Sequence, residues 1–293
     1  MKTCPWCEKN TDHLYMEVKD FFLTKEDFRI YQCDHCGLLF TAPRPSSEEI
    51  GRYYQSDNYY SHQENKKGFI PHVYETVKSF NIKRKVQIAL SGLEKGRLLD
   101  IGCGVGDFLL NVKNAGWEIT GIEPSKDAKK IAQERLGITL LDPSDSHSLP
   151  DHFFDVITMW HVLEHVDDLK SQTSELKRLL KPSGRLIIAL PNFQSFDSQY
   201  YNKYWAAWDV PRHLNHFSSD VIQSIFTSLG MIFVDIQKLN WDAYYISYLS
   251  ERYLDHSLPL LRGFWIGLKS NIKARRSGMY SSLVYRFQNL LDE

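Results

Sequence analysis

The stretch Leu98-Leu99-Asp100-Ile101-Gly102-Cys103-Gly104-Val105-Gly106 constrains the fold more than any other part of the chain. An apolar run ends in three glycines at alternate positions and passes directly into an amphipathic segment. Glycine lets the backbone turn sharply and approach a ligand with no side chain in the way. In nucleotide-binding α/β folds this is where a cofactor crosses the end of the sheet. Around it, short apolar runs at 97–102, 118–123, 138–142, 154–160, 185–190 and 231–238 alternate with helical periodicity at 106–115, 125–136, 168–180 and 219–229. That alternation predicts an α/β fold, a doubly wound and mostly parallel sheet with helices on both faces. Ser281–Phe287 alternates weakly and reads as a seventh strand, antiparallel to the rest. Lys181-Pro182-Ser183-Gly184 reads as a helix stop and turn before the fifth strand. One more helix precedes the sheet over 72–91, with Val73, Val77, Phe80, Ile82, Val86, Ile88 and Leu90 at helical spacing.

The glycine loop alone also fits a dinucleotide fold or a purely structural turn. In the dinucleotide frame G-x-G-x-x-G the third glycine falls one place later than Gly106. Asp100, two residues before the first glycine, would repel a pyrophosphate. It would attract a cationic sulfonium cofactor that carries an α-amino group. Glu123 ends the next strand, where a carboxylate can accept hydrogen bonds from both ribose hydroxyls.

Four of the five cysteines lie in the first 36 residues, as Cys4-x-x-Cys7 and Cys33-x-x-Cys36. The chain opens without an apolar leader, and no run approaches the roughly 20 apolar residues that span a bilayer. The expected location is the cytoplasm, where thiols stay reduced and paired cysteines read as metal ligands or redox centres. Two knuckles at this spacing can place four thiolates around one structural Zn2+, with Gly37 easing the turn. A redox pair or unliganded thiols are the alternatives. Four cysteines leave no open position for catalysis by the metal. His13 and His35 read as surface residues, and Cys103 as a small packed side chain.

Asp-Ile-Gly-Cys-Gly-Val-Gly resembles motif I of the class I S-adenosylmethionine-dependent methyltransferases. Glu123 matches their ribose-binding acid. Phe154-Asp-Val-Ile157 with His161-Val-Leu-Glu164-His165-Val resembles their fourth strand and the segment after it. Leu180-Lys-Pro-Ser-Gly184-Arg-Leu-Ile-Ile-Ala-Leu-Pro191-Asn192 resembles their fifth. The matches run in order over about 97–192. Within the class the chain is most similar to bacterial methyltransferases of the ubiquinone-biosynthesis-like type, and to zinc-ribbon members associated with surface polysaccharides and sugar nucleotides. Its front half resembles sugar C-methyltransferases, and the expected layout has no counterpart of their additional C-terminal domain. The resemblance implies that Asp100, Gly102, Gly104 and Gly106 hold the methionine part of S-adenosylmethionine and Glu123 the ribose. It implies that Asp142 or Ser144 faces the adenine, and that Trp160 and His161 line the methionine and acceptor side. The expected layout is a zinc ribbon over 1–45, an aromatic linker and helix over 46–91, and a methyltransferase domain over 92–293 with inserts at 192–217 and 242–279. In the family, tyrosines follow the ribbon; here Tyr53, Tyr54, Tyr59 and Tyr60 either close over the cofactor or pack a hinge.

Methyl transfer calls for an aligned acceptor and the management of one proton. The 192–217 insert follows a parallel strand and carries Trp205, Trp208, Asp209, Arg212, His213 and His216. Trp205 and Trp208 offer flat surfaces to a sugar or aromatic ring, with Asp209 beside them, and Arg212 offers a fork to a phosphate or carboxylate. His213 is the first candidate base, against a structural hydrogen bond, with His161 and His165 next. Glu164 reads as a structural partner, and His216 with Phe217 as an anchor for the insert. The segment 242–279 reads as helical and ends in Lys269, Lys273, Arg275 and Arg276, a contact for an anionic membrane surface or a solvated turn. The net charge of −1 gives no global field for nucleic acid. The expected function is O-methylation of a small molecule or glycan precursor. An RNA methyltransferase and a non-catalytic cofactor-binding scaffold are the rivals.

Overall fold

The computed structural model describes residues 1–46, 48–54 and 69–290, with side chains described from residue 78 onward in the helix that starts at 69. Tyr59 and Tyr60 and the side chains of Val73 and Val77 lie outside the described residues. In chain order the elements are β1 (Lys2–Thr3), β2 (Asn10–Thr11), β3 (Leu14–Lys19), β4 (Asp27–Gln32), β5 (Leu39–Ala42), α1 (Phe69–Leu90), β6 (Arg97–Ile101), α2 (Asp107–Asn114), β7 (Glu118–Ile122), α3 (Lys126–Leu136), β8 (Phe154–Trp160), α4 (Leu169–Leu179), β9 (Leu180–Pro191), α5 (Phe196–Tyr201), β10 (Asn215–His216), α6 (Ser219–Ser228), β11 (Met231–Lys238), α7 (Asp242–Tyr253), α8 (Pro259–Ser277) and β12 (Ser282–Asn289).

The large sheet runs β11-β12-β9-β8-β6-β7, with β12 antiparallel to both neighbours and the other pairs parallel. Successive residues serve opposite faces, as strand geometry requires. Leu98, Val156, Ile187 and Val284 enter one core, and Leu99, Ile157, Ile188 and Tyr285 the other. The sheet is therefore covered on both sides, which explains its unbroken apolar strands. The chain leaves β6 toward β7 on one side and β8 on the other, so a crevice opens at the carboxyl ends of β6 and β8.

Among the described residues this sheet has six strands where seven were expected. The run 138–142 is reduced to a single parallel bridge, Ile122 with Leu141. Leu140 gives its N–H to Gln133 Oε1 at 2.9 Å, and Pro143 opens a short 3₁₀ turn two residues after Leu141. Both divert backbone groups that a strand needs. The turn at Lys181–Gly184 is present as a bulge inside β9, where the pairing jumps from Leu180 to Arg185.

The N-terminal strands do not stand alone. The small sheet runs β10-β5-β4-β3, so its fourth strand comes from the insert after β9. Val18, Phe28, Ile30 and Leu39 of the small sheet share one core with Tyr201, Trp205 and Trp208 of the insert. A sheet this small cannot bury a core by itself, and the insert supplies the missing apolar surface. His216 sits in β10, paired with Leu39, which is the anchoring position expected for it. Across the joint, Asp20 caps its own turn by accepting from the Phe22, Leu23 and Thr24 amides at 2.9–3.1 Å. It also accepts from Arg212 Nη2 at 2.8 Å, and both side chains are buried.

Candidate active site

The glycine loop turns tightly after β6. Gly102, Gly104 and Gly106 all have positive φ, at 72°, 55° and 80°, a region that side chains disfavour. The three differ in what surrounds them. A Cβ on Gly102 would lie 2.4 Å from Val162 Cγ2, whereas one on Gly104 would meet nothing within 4 Å. Gly102 is thus fixed by packing, whereas among the described residues nothing crowds Gly104, where a ligand can come against bare backbone. Glu123 fastens the loop from β7. Its Oε2 accepts from the Gly104 amide at 2.7 Å and its Oε1 from the Ser125 amide at 2.9 Å, and lone pairs remain on both oxygens.

Asp100 ends β6 beside this space, 2% exposed. Thr158 Oγ1 on β8 donates to its Oδ1 at 2.6 Å. Burial pushes the Asp100 carboxyl up to about 7, against the Thr158 hydrogen bond and the attraction of Lys85. Lys85, from α1, lies 4.9 Å over the Trp160 ring. Trp160 packs edge-on to Phe108, and its indole N–H is buried with no partner. Cys103 is buried, and burial pushes its thiol well up, so it is no nucleophile. Asp142 is exposed and paired with Lys129 at 3.0 Å.

The three histidines occupy different electrostatic positions. His161, at φ 60°, lies between Asp242 Oδ2 at 3.1 Å and Glu164 Oε1 at 3.4 Å. Burial opposes its charge, yet these two carboxylates hold it up to about 9, so it stays protonated at neutral pH. His165 is held down to about 4 by burial and by His213. Its Nδ1 lies 3.0 Å from the Arg212 carbonyl and 3.1 Å from Tyr54 Oη. His213 Nδ1 lies 2.8 Å from the Ala207 carbonyl. A carbonyl only accepts, so in neutral His213 the proton is on Nδ1 and the Nε2 lone pair is free. The His165 and His213 rings stand edge to face with centroids 4.6 Å apart.

Glu164 lies beside them, 1% exposed; its Oε1 is in an ion pair with His161 at 3.4 Å, and among the described residues no donor meets its Oε2. A buried carboxylate oxygen without a donor is rare, so Oε2 of Glu164 offers a place for an external donor. Ligand atoms of Glu164, His165 and His213 lie within 4.8 Å of one another. A small crevice lined by Glu164, Phe193, Ala207, His213 and His216 among others adjoins them. Sequence reasoning missed Asp242, Thr158 and Lys85. None carries a motif, and each reaches the site from a distant element.

The insert departs from its expected part. Trp205 and Trp208 are buried, with their indole N–H groups spent on Asp197 and on the Asn202 carbonyl. They pack the joint with the small sheet and offer no platform. Arg212 is buried, its fork taken by Asp20, Asp209 and the Tyr53 carbonyl, which leaves nothing for a phosphate. Asp209 binds Arg212 and has its other oxygen 4.0 Å from His213 Nε2. Tyr53 is buried in the core that the small sheet shares with the insert, its hydroxyl donating to Glu26 at 2.6 Å.

At the N-terminus, Cys4 Sγ lies 3.6 Å from Cys36 Sγ, and Cys7 Sγ 3.4 Å from Cys33 Sγ. All four lie within 4.8 Å of one another, with no disulfide. Four sulfurs about 2.3 Å from one zinc would be spaced by about 3.8 Å, close to these distances. His13 pairs with Asp34 at the surface.

The chain is similar to known methyltransferases. A relative from Thermotoga maritima, a demethylmenaquinone methyltransferase, is 34% identical over 145 residues, covering 47% of this chain and 62% of its own length. A ubiquinone biosynthesis O-methyltransferase from Alkalilimnicola ehrlichii is 35% identical over 113 residues, covering 35% of this chain and 44% of its own. The chain thus spans about half the length of these curated relatives. Among solved structures, a Haemonchus contortus phosphoethanolamine N-methyltransferase in complex with S-adenosylhomocysteine aligns with TM-score 0.55 and 14% identity, over 94% of this chain and 71% of that one. The [4+2]-cyclase SpnF aligns with TM-score 0.54 and 18% identity, over 85% and 97%. These two establish the fold and nothing of the reaction. Residues 75–233 match the family described as the methyltransferase domain. That span is more than half of the chain, which belongs to the class I S-adenosylmethionine-dependent methyltransferases.

Proposed function

We propose that the protein transfers the S-adenosylmethionine methyl group to an oxygen of a small molecule or glycan precursor, with His213 as the base. The observation that carries this reading is the cluster of Glu164, His165 and His213 beside the crevice that Glu164 and His213 line. The cofactor, when bound, supplies an electrophilic methyl on a cationic sulfur. Asp100 would hold its α-amino group, the bare backbone at Gly104 would lie against it, and the free lone pairs of Glu123 would take the ribose hydroxyls. Trp160 offers its indole N–H to the methionine side.

Of the three histidines, only His213 combines a free Nε2 with contact to the crevice. His161 is already protonated, and His165 binds protons too weakly for efficient transfer at neutral pH. His213 would take the acceptor proton on Nε2, with Asp209 and Glu164 near enough to stabilise the resulting imidazolium. Phe193 and Phe217 supply apolar walls to the crevice. O-methylation is also the reaction named for the ubiquinone relative. The net charge of −1 argues against RNA as acceptor. The four cysteines are proposed to hold one structural zinc, which would stiffen a unit with little core of its own.

Calorimetric titration with S-adenosylmethionine and S-adenosylhomocysteine tests the reading, alongside a Glu123→Ala variant checked for fold by circular dichroism. Micromolar binding that the variant loses supports it. Absence of binding by folded protein would overturn it.

A further inference from the structure

Helix α8 is built inside out. The residues it turns toward the protein are small: Gly263, Gly267, Ser270 and Ala274 are buried. A side chain at Gly263 would lie 2.6 Å from the Tyr248 backbone, and one at Gly267 would lie 2.8 Å from that of Tyr244. The helix thus seats its bare backbone against α7. Ile266 packs inward and Phe264 stacks on Tyr244, but most of its large apolar side chains point the other way. Leu260, Leu261, Phe264, Trp265 and Ile272 are 48–59% exposed, and Leu258 just before them is 68% exposed.

The cations are placed next to that apolar stripe. At about 100° per residue, Leu261, Trp265 and Ile272 share an arc of about 40°, and Arg276, Lys269, Arg262 and Lys273 fill the next 60° or so. The helix sequence carries five Arg or Lys and no Asp or Glu. A helix at an ordinary protein surface points its apolar stripe inward. An apolar patch meant for another protein is depleted of lysine. Exposed Leu, Phe and Trp bordered by a cationic row match a helix lying in the plane of a lipid interface. Among the described residues no helix is long and apolar enough to cross a membrane, so the contact is with one face.

We propose that α8 docks on an anionic phospholipid bilayer, with Leu261, Trp265 and Ile272 at the acyl boundary and Lys269, Lys273 and Arg276 among the phosphates. The helical pair is tied to the candidate site, because α7 opens on Asp242, the partner of His161. Docking would therefore hold the crevice in a fixed orientation to the bilayer. The inference goes beyond the methyltransferase reading and does not depend on it.

The test is co-sedimentation of the full chain with vesicles of phosphatidylcholine alone or mixed with phosphatidylglycerol. Binding to the mixed vesicles is expected to be at least about tenfold tighter. Trp265→Glu and the pair Lys269→Glu/Lys273→Glu should each weaken it about tenfold, with circular dichroism and oligomeric state unchanged. No binding to either vesicle overturns the proposal. So does loss of binding in the lysine variant alone, which would mean adsorption without insertion. A dimer in light scattering that Trp265→Glu dissolves overturns it too, and assigns the face to a second copy of the chain.

Discussion

Asp100 should make cofactor affinity depend on pH in the neutral range. Its carboxyl is 2% exposed and is pushed up to about 7, chiefly by burial. A ligand ammonium requires the carboxylate form, so at pH 6 most molecules must release a proton from Asp100 to bind. The ionised fraction rises from about one tenth at pH 6 to about nine tenths at pH 8, so affinity should rise about tenfold, or about 1.3 kcal/mol. Calorimetry with S-adenosylhomocysteine at pH 6, 7 and 8, in two buffers of different ionisation heat, measures both the affinity and the proton released. At pH 6 release should approach one proton per site. Asp100→Asn should bind more weakly and show no such rise. Thr158→Val removes a hydrogen bond that favours the carboxylate and should move the transition to higher pH. The ligand-free protein carries the opposite trend. A carboxyl raised above its unfolded value of 3.8 holds its proton longer when folded, so stability falls as pH rises from about 4 to about 7. A flat wild-type affinity from pH 6 to 8, matched by Asp100→Asn, would refute the assignment.

The glycines of the loop should separate in mutants. Gly104→Ala should cost about 1–2 kcal/mol of stability, from its positive φ alone, yet cut cofactor affinity by more than tenfold; Gly102→Ala should cost about 2–5 kcal/mol through its clash with Val162, with thermal unfolding and calorimetry distinguishing the two. Arg212→Met should destabilise by about 3–5 kcal/mol in urea unfolding by stranding buried Asp20. Burial raises the Asp20 carboxyl but Arg212 lowers it further, so this stabilisation is present above about pH 4 and lost as pH falls through the depressed value. Elemental analysis should find one zinc per chain, and either a strong chelator or Cys36→Ser should lower the melting temperature by several degrees. His213→Ala should keep S-adenosylhomocysteine affinity within about twofold and lose about 10²–10⁴ in turnover, whereas equal loss of both would mean a structural role.

Much of the central sheet is legible in the sequence because its signals are local. The glycine loop, the apolar runs and the turn at Lys181–Gly184 each carry their instruction within a few residues. The edge strand at 138–142 was overread because periodicity cannot show that Gln133 takes the Leu140 amide. The insert was misread for a deeper reason. A cluster of Trp, Asp, Arg and His reads as chemistry, and nothing local shows that β3–β5 need Trp205 and Trp208 as their core. The fork of Arg212 is answered by Asp20, 192 positions away, and His161 by Asp242, 81 positions away. Contacts at such separations are set by the assembled fold and leave no pattern along the chain.

The shared strand pairing between β5 and β10 makes the N-terminus a brace for the His213 loop. Thr41 donates to the His213 carbonyl at 2.7 Å, and Arg44 holds the Asn215 side chain at 2.7 Å. The two halves are interleaved, so the protein is not modular at the place where a sequence would invite cutting it. Removing the first 45 residues would not release a smaller methyltransferase but would strip the scaffold from the His213 loop. A transplanted acceptor loop, for the same reason, would need to bring its own N-terminal strands with it.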